Sequence, residues 1–335
     1  MLAPMLQFLI CAVVIIIAGT FLSKFADAIA ELTGMGRLLV GSVLLAGATS
    51  LPELTVDISA VRLGAVDMAV GDLLGSSLVN LMILALLDLS HHSRGRMLSR
   101  QAAAHALSGS LSAALTCVVG LGLLTAKWMG DYTVMGISPF VYAVVSVYLL
   151  GVRLVYLDQR VSHRTAVDEG AVPDPHPACM TLGKAVAGFA VCAGAILLAG
   201  PFLAHAADEL ATKSDLGGTF IGTTLVAFST SLPELVSSFA ALRMGALDLA
   251  IGNIFGSNAF NMILLAPLDI VHEGPLLAAV SPSHTLTCFA VVLATQVAVM
   301  GQLYQAEKRT RLIEPDAGLV ILIVLSAFAM VFYVK

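Results

Sequence analysis

The chain has 335 residues, of which 58% are hydrophobic and only 12% charged, and its mean hydropathy is +0.94. That composition excludes an ordinary soluble domain. The net charge of -5 identifies no partner, because charge on a membrane chain matters by side and not by sum.

Ten apolar segments follow one another, at about 5–23, 35–62, 66–87, 102–125, 132–155, 183–205, 217–243, 247–268, 279–302 and 317–334. Each is long enough to cross a hydrocarbon core of roughly 30 Å at about 1.5 Å per helical residue. The first ends near FADA (Phe25 to Ala28), which looks like a signal-peptide cleavage site, but it lacks a positive flank and is read as a helix of the mature fold. The second carries GATSLPE (Gly47 to Glu53) and the third GDLLGSSLVN (Gly71 to Asn80). After the fifth, residues 158–181, containing VPDPHP, form a linker-sized cytoplasmic loop between halves 1–157 and 182–335. The seventh carries FSTSLPE (Phe228 to Glu234) and the eighth GNIFGSNAFN (Gly252 to Asn261). No soluble domain remains, so function must be carried by the spans.

The five cysteines, Cys11, Cys117, Cys179, Cys192 and Cys288, are scattered and read as packing residues. Counting Lys and Arg with the N-terminus outside places Lys24, Arg37, Arg94, Arg96, Arg100, Arg153, Arg160, Arg164, Lys184, Arg243, Lys308, Arg309 and Arg311 on the cytoplasmic side, against Arg62, Lys127, Lys213 and Lys335. Thirteen against four predicts both termini outside, in a cell membrane.

The two TSLPEL phrases are 181 residues apart, and so are Asp27 and Asp208, Gly41 and Gly222, Gly71 and Gly252, Gly75 and Gly256, Ser76 and Ser257, Asn80 and Asn261, and Asp88 and Asp269. Without a gap from Gly19 to Asp88, roughly 30 of 70 positions are identical to those 181 later. Five spans per half is an odd number, so the second half must enter the membrane from the opposite side. The predicted fold is an all-α integral membrane protein of ten transmembrane helices in two inverted five-helix repeats, an architecture of secondary transporters.

Pro52 and Pro233 have no amide hydrogen, which predicts broken helices at spans 2 and 7 and frees carbonyls around Thr49 and Thr230. Glu53 and Glu234 fall in the first turn of the following half-helix, where the dipole favours a carboxylate. S-L-P-E also reads as a capping box, with Ser50 and Glu53 satisfying orphan amides. Deep in a membrane and twice over, the ion-site reading prevails. Two carboxylates with freed carbonyls suit a hard cation such as Ca2+. Ser76 and Asn80, like Ser257 and Asn261, are four apart on one helix face, and the GxxxG glycines permit close helix approach.

TSLPEL followed by G(N/D)xxGSxxxN in the next helix resembles the alpha repeats of the calcium/cation antiporter superfamily, which includes the Na+/Ca2+ exchangers. The resemblance spans both repeats, about 35–88 and 217–269. It implies that ions lie between spans 2, 7, 3 and 8, with Glu53 and Glu234 as central Ca2+ carboxylates and the Thr49 and Thr230 carbonyls completing that site. Ser50, Ser231, Ser76, Ser257, Asn80 and Asn261 would line Na+ sites, and spans 1 and 6 would be sliding gates.

The chain departs from that pattern in places. Asparagine stands at both 80 and 261, where exchangers often carry one aspartate, which weakens Na+ coupling and raises Ca2+/H+ exchange. Asp72 occupies the usual asparagine position as a compensating metal-site acid, and Asp57 is an extra acid whose mate is Ser238. Ala48, Ser229 and Ser77 also depart from the pattern. Asp27 and Asp208 read as caps or entrance acids, while Asp88 and Asp269 end helices where an acid opposes the dipole, a placement the sequence does not explain. His91, His92 and His105 read as a solvated cytoplasmic cluster.

The function expected is gradient-driven antiport of Ca2+ against Na+ by alternating access, or against H+, with a cation channel or ion sensor as the reading of a different class. No hydrolytic, redox or nucleotide-binding motif is present, so an enzyme, a cofactor, a nucleic acid or a protein partner is not implied. The expected partners are the transported ions and the bilayer.

Overall fold

The computed structural model describes residues 2–90, 100–130, 132–168, 180–213, 228–303 and 315–334. Among these the only extended pairing is an isolated bridge between Val134 and Ile137, and everything else of regular form is helical.

Helix α1 (Leu2–Thr33) overruns its apolar core and stops at Gly34, whose positive φ of 67° only glycine takes easily. Asp27 is therefore inside a helix and not at its end; it pairs with Arg37 of the next segment, Nε to Oδ1 at 2.5 Å, so the cap reading is corrected. Helices α2 (Arg37–Thr49) and α3 (Leu51–Arg62) are a consecutive pair bent by 44° at the break between them. Within α2, residues Gly41–Leu45 make a π-helical turn. Then come α4 (Val66–Ser90), α5 (Arg100–Met129) and α6 (Pro139–Asp168). The span expected at 132–155 starts only at Pro139, a residue suited to a first helical turn, because a tight turn around Met135 and Gly136 precedes it.

The second half has α7 (Leu182–Lys213), α8 (Leu232–Arg243), α9 (Leu247–Val271), α10 (Leu276–Ala279), α11 (His284–Leu303) and α12 (Pro315–Val334). The expected span 279–302 is interrupted, since Val280 is extended and Pro282 cannot continue a helix. Among the described residues seven helices are long and apolar enough to cross a membrane, or eight with the bent pair, and Asp316–Val331 is a shorter apolar helix. Residues 217–227, with His91 and His92, lie outside the described residues.

Burial separates a core from a periphery. In α4 and α9 the apolar window is 67% buried, against 22% in α1 and 17% in α7, so α4 and α9 are central and α1 and α7 face lipid. Helices α1 and α7 pack along each other, and each also lies on the other half's broken helix, α1 on α8 and α7 on α3. Helix α9 runs against α2 closely enough that a Cβ on Gly41 would meet the Leu249 carbonyl at 2.6 Å, and one on Gly252 the Leu38 carbonyl at 2.6 Å. The expected close backbone approach is thus made by Gly252 and by Gly256, which lies against the Ser42 backbone, whereas Gly71 faces only the His284 side chain and Gly75 meets nothing within 4 Å.

Acids that the sequence left without a role tie the ends of helices together. Asp269, 1% exposed, accepts the Ser138 amide at 2.8 Å and the Leu276 amide at 2.8 Å, holding the starts of α6 and α10. Asp67 accepts the Ser281 amide at 2.7 Å ahead of α11 and faces His284 Nε2 at 3.1 Å. His105 is buried, with Nε2 2.9 Å from Asp248, and so is not in a solvated loop.

Candidate ion-binding site

The site is built on two helix breaks of one form. Ser50 (φ -88°, ψ 8°) and Ser231 (φ -82°, ψ 5°) both leave helical geometry just before a Leu-Pro-Glu turn. Pro52 removes the donor that the Ala48 carbonyl would have received. Neither serine makes a side-chain cap bond, so the capping-box alternative is not realised. Ser50 Oγ instead reaches across the halves and donates to Glu234 Oε1 at 3.3 Å.

Thr49, Ser50, Glu53, Ser76, Asn80, Thr230, Ser231, Glu234, Ser257 and Asn261 are all buried, none more than 2% exposed. Thr49 Oγ1 lies 3.4 Å from Ser257 Oγ and 3.4 Å from Asn253 Oδ1, so the first break is seated on α9. Glu234 is surrounded by the hydroxyls of Thr49, Ser50 and Ser257, while Glu53 lies within charge–charge range of Glu234, Asp72 and Asp57. Six of these residues carry a buried oxygen with no hydrogen-bond partner among the described residues: Glu53 Oε2, Glu234 Oε2, Ser76 Oγ, Ser231 Oγ, Asn80 Oδ1 and Asn261 Oδ1. Buried carboxylate oxygens without partners are costly, and a cation is the partner their chemistry calls for.

The two asparagines bond in opposite directions across the α4–α9 contact. Asn80 Nδ2 donates to Asn258 Oδ1 at 3.0 Å, Asn258 Nδ2 to the Ser77 carbonyl at 3.1 Å, and Asn261 Nδ2 to the Leu73 carbonyl at 3.3 Å. Their amide nitrogens rivet the helices and leave Oδ1 free to face a ligand. Ser77, Asn253 and Asn258 thus belong to the site as supports that the motif reading did not select. Their signal was polarity on a helix that is otherwise apolar all round.

Among the described residues no three His, Cys, Asp or Glu side chains are grouped so as to hold a metal by themselves. A cation here depends on hydroxyl, amide and backbone oxygens as well as carboxylates, the hard-oxygen mixture that suits Ca2+ or Na+ and not a transition metal.

A family profile described as "Sodium/calcium exchanger protein" matches residues 3–157 and 184–334, nearly the whole chain. The chain belongs to the sodium/calcium exchanger family. Among relatives, the putative antiporter CaxA of Alkalimonas amylolytica is 27% identical over 278 residues, covering 80% of this chain and 81% of that protein. The sodium/calcium exchanger MaX1 of Methanosarcina acetivorans is 40% identical over a shorter stretch of 75 residues, 22% of this chain and 21% of that one. A solved structure of the sodium-calcium exchanger NCX_Mj superposes with a TM-score of 0.71 at 18% identity, over 98% of both chains, which establishes the shared fold.

Membership in the sodium/calcium exchanger family makes this a multi-pass membrane protein and a Na+/Ca2+ exchanger-like member of the calcium/cation antiporters.

Proposed function

We propose that the chain exchanges Ca2+ for Na+ across the cell membrane by alternating access. One observation carries the reading: Glu53 and Glu234, each 1% exposed, meet at two matching helix breaks, each with an unpartnered oxygen. Two carboxylates neutralise one Ca2+, and the Thr49 and Thr230 carbonyls complete its shell. Ser50, Ser231, Ser76, Ser257, Asn80 and Asn261 with Asp72 line the sites for the counter-ion. Exchange without leak follows if Ca2+ and Na+ compete for overlapping oxygens.

The ten-span layout in two inverted halves, 1–157 and 182–335 about a loop at 158–181, belongs to the same proposal, with both termini outside. Its support is the reciprocal packing of α1 on α8 and α7 on α3, together with Asp67 reaching the second half's His284 while Asp248 reaches the first half's His105. Helices α1 and α7, both little buried, slide over the core as gates.

Ca2+/H+ exchange is the second reading, favoured by neutral asparagine at both 80 and 261. Proteoliposomes loaded with Na+ and diluted into Na+-free buffer, with a pH gradient in a parallel arm, separate the two. Ca2+ uptake driven by Na+ supports the first reading; uptake in the pH arm alone supports the second. Glu53→Gln abolishes uptake in either case, and full exchange by that variant would overturn the site.

A further inference from the structure

The repeat departs from itself at one position a turn from Glu53 and at another a turn from Ser76. In the second half Asn253 Nδ2 donates to Ser238 Oγ at 2.9 Å, a neutral amide–hydroxyl pair that satisfies itself. The positions 181 residues earlier are Asp72 and Asp57. Where one half holds a closed hydrogen bond, the matching positions of the other therefore hold two acids.

These acids are not spoken for. Asp57 is 1% exposed with both carboxylate oxygens unpartnered, and Asp72 Oδ2 is shielded and unpartnered although the residue as a whole is partly exposed. The two carboxylates lie within charge–charge range of one another. Ser76, one helical turn from Asp72 on α4, adds an unpartnered hydroxyl at 1% exposure. Among the described residues no Lys or Arg forms an ion pair with either acid. A Ca2+ held by Glu53 and Glu234 leaves the charge of Asp57 and Asp72 uncompensated, and buried charge without a partner is strongly unfavourable.

We propose that Asp57 joins Asp72 and the Ser76 hydroxyl, both already placed among the counter-ion ligands, in a Na+ site beside the Glu53–Glu234 pair and present in one half only. The site makes the two halves unequal: Glu53 on α3 and Ser76 on α4 each have a further carboxyl group one turn away, where Glu234 on α8 and Ser257 on α9 have a neutral amide–hydroxyl pair. Naming the cation as the counter-ion rests on the exchange reading; binding itself does not.

The test is thermal unfolding of purified full-length protein in detergent, in NaCl against N-methyl-D-glucamine chloride at equal ionic strength. Glu53→Gln with Glu234→Gln removes the central carboxylates first. In that background Na+ still raises the unfolding temperature, and adding Asp57→Ser with Asp72→Asn abolishes the rise. The added pair copies Ser238 and Asn253, which the scaffold already accommodates; Asp57→Asn alone serves as the second variant and shows the same loss. Absence of a Na+ effect in the first background, or its survival after the acids are replaced, overturns the proposal. Lack of Ca2+ uptake in every gradient arm would overturn the exchange reading while leaving this binding result standing.

Discussion

Ser50 of the first half donates to Glu234 of the second at 3.3 Å, so the second half's ion carboxylate is oriented in part by the first repeat. Removing that hydroxyl with Ser50→Ala weakens Ca2+ half-saturation roughly tenfold, the equivalent of about 1.4 kcal/mol for a hydrogen bond to a charged group. Ser231 Oγ makes no such bond among the described residues, so Ser231→Ala leaves Ca2+ half-saturation nearly unchanged and raises the Na+ concentration needed to drive uptake. Concentration series of Ca2+ and Na+ in proteoliposomes check both.

Asp269 is a structural acid. Asp269→Ala leaves the buried amides of Ser138 and Leu276 without their acceptor and costs about 3 kcal/mol, from two hydrogen bonds to an ionised group. The unfolding temperature in detergent falls, while Ca2+ half-saturation of the folded fraction stays within about twofold because the sites do not share partners. A large change in affinity at unchanged stability would move Asp269 into the transport machinery.

Gly41→Ala drives a methyl against the Leu249 carbonyl, a backbone atom that cannot step aside, and destabilises by about 1–3 kcal/mol as overpacking does. Gly194 in α7 meets nothing within 4 Å, so Gly194→Ala is neutral or stabilising by up to about 1 kcal/mol through helix propensity. Urea or thermal unfolding of the two variants side by side reads the difference.

Gly19 of α1 and Gly200 of α7 occupy matched positions, 181 apart, and each bears on a broken helix. A Cβ on Gly19 would lie 3.1 Å from Val236 Cγ1, and one on Gly200 would lie 2.6 Å from Pro52 Cγ. Gly200→Leu wedges the gate against the break. The maximal rate of Ca2+ uptake drops by about tenfold or more, with a smaller change in half-saturation, since motion and not ligation is obstructed. Stopped-flow or timed-filter uptake separates rate from affinity.

The breaks and the membrane class were legible because proline, glutamate and hydrophobicity act through local chemistry, and the 181-residue offset doubled every local signal. Helix ends were less legible. The run of α1 to Thr33 depends on Asp27 finding Arg37, and the break ahead of α11 depends on Asp67 taking the Ser281 amide from 214 residues away. Asp269 looked misplaced because an acid at a helix C-terminus is unfavourable by its own helix alone; its two donors belong to other elements. Ser77, Asn253 and Asn258 escaped selection for the same reason, since their partners lie on the facing helix.

The π turn at Gly41–Leu45 fits one extra residue into a helix that would otherwise advance by about 100° per residue. Everything downstream on α2, Thr49 and Ser50 included, is therefore phased about 100° from where an unbroken α-helix starting at Arg37 would point it. Excising a single residue from that turn would let the segment wind as a regular α-helix with Thr49 and Ser50 still at their present azimuth, whereas straightening the turn with all its residues kept would rotate them off the ion path by about 100°. In this protein the azimuth of the binding site is set several residues upstream of it, by backbone winding and not by any side chain that touches an ion.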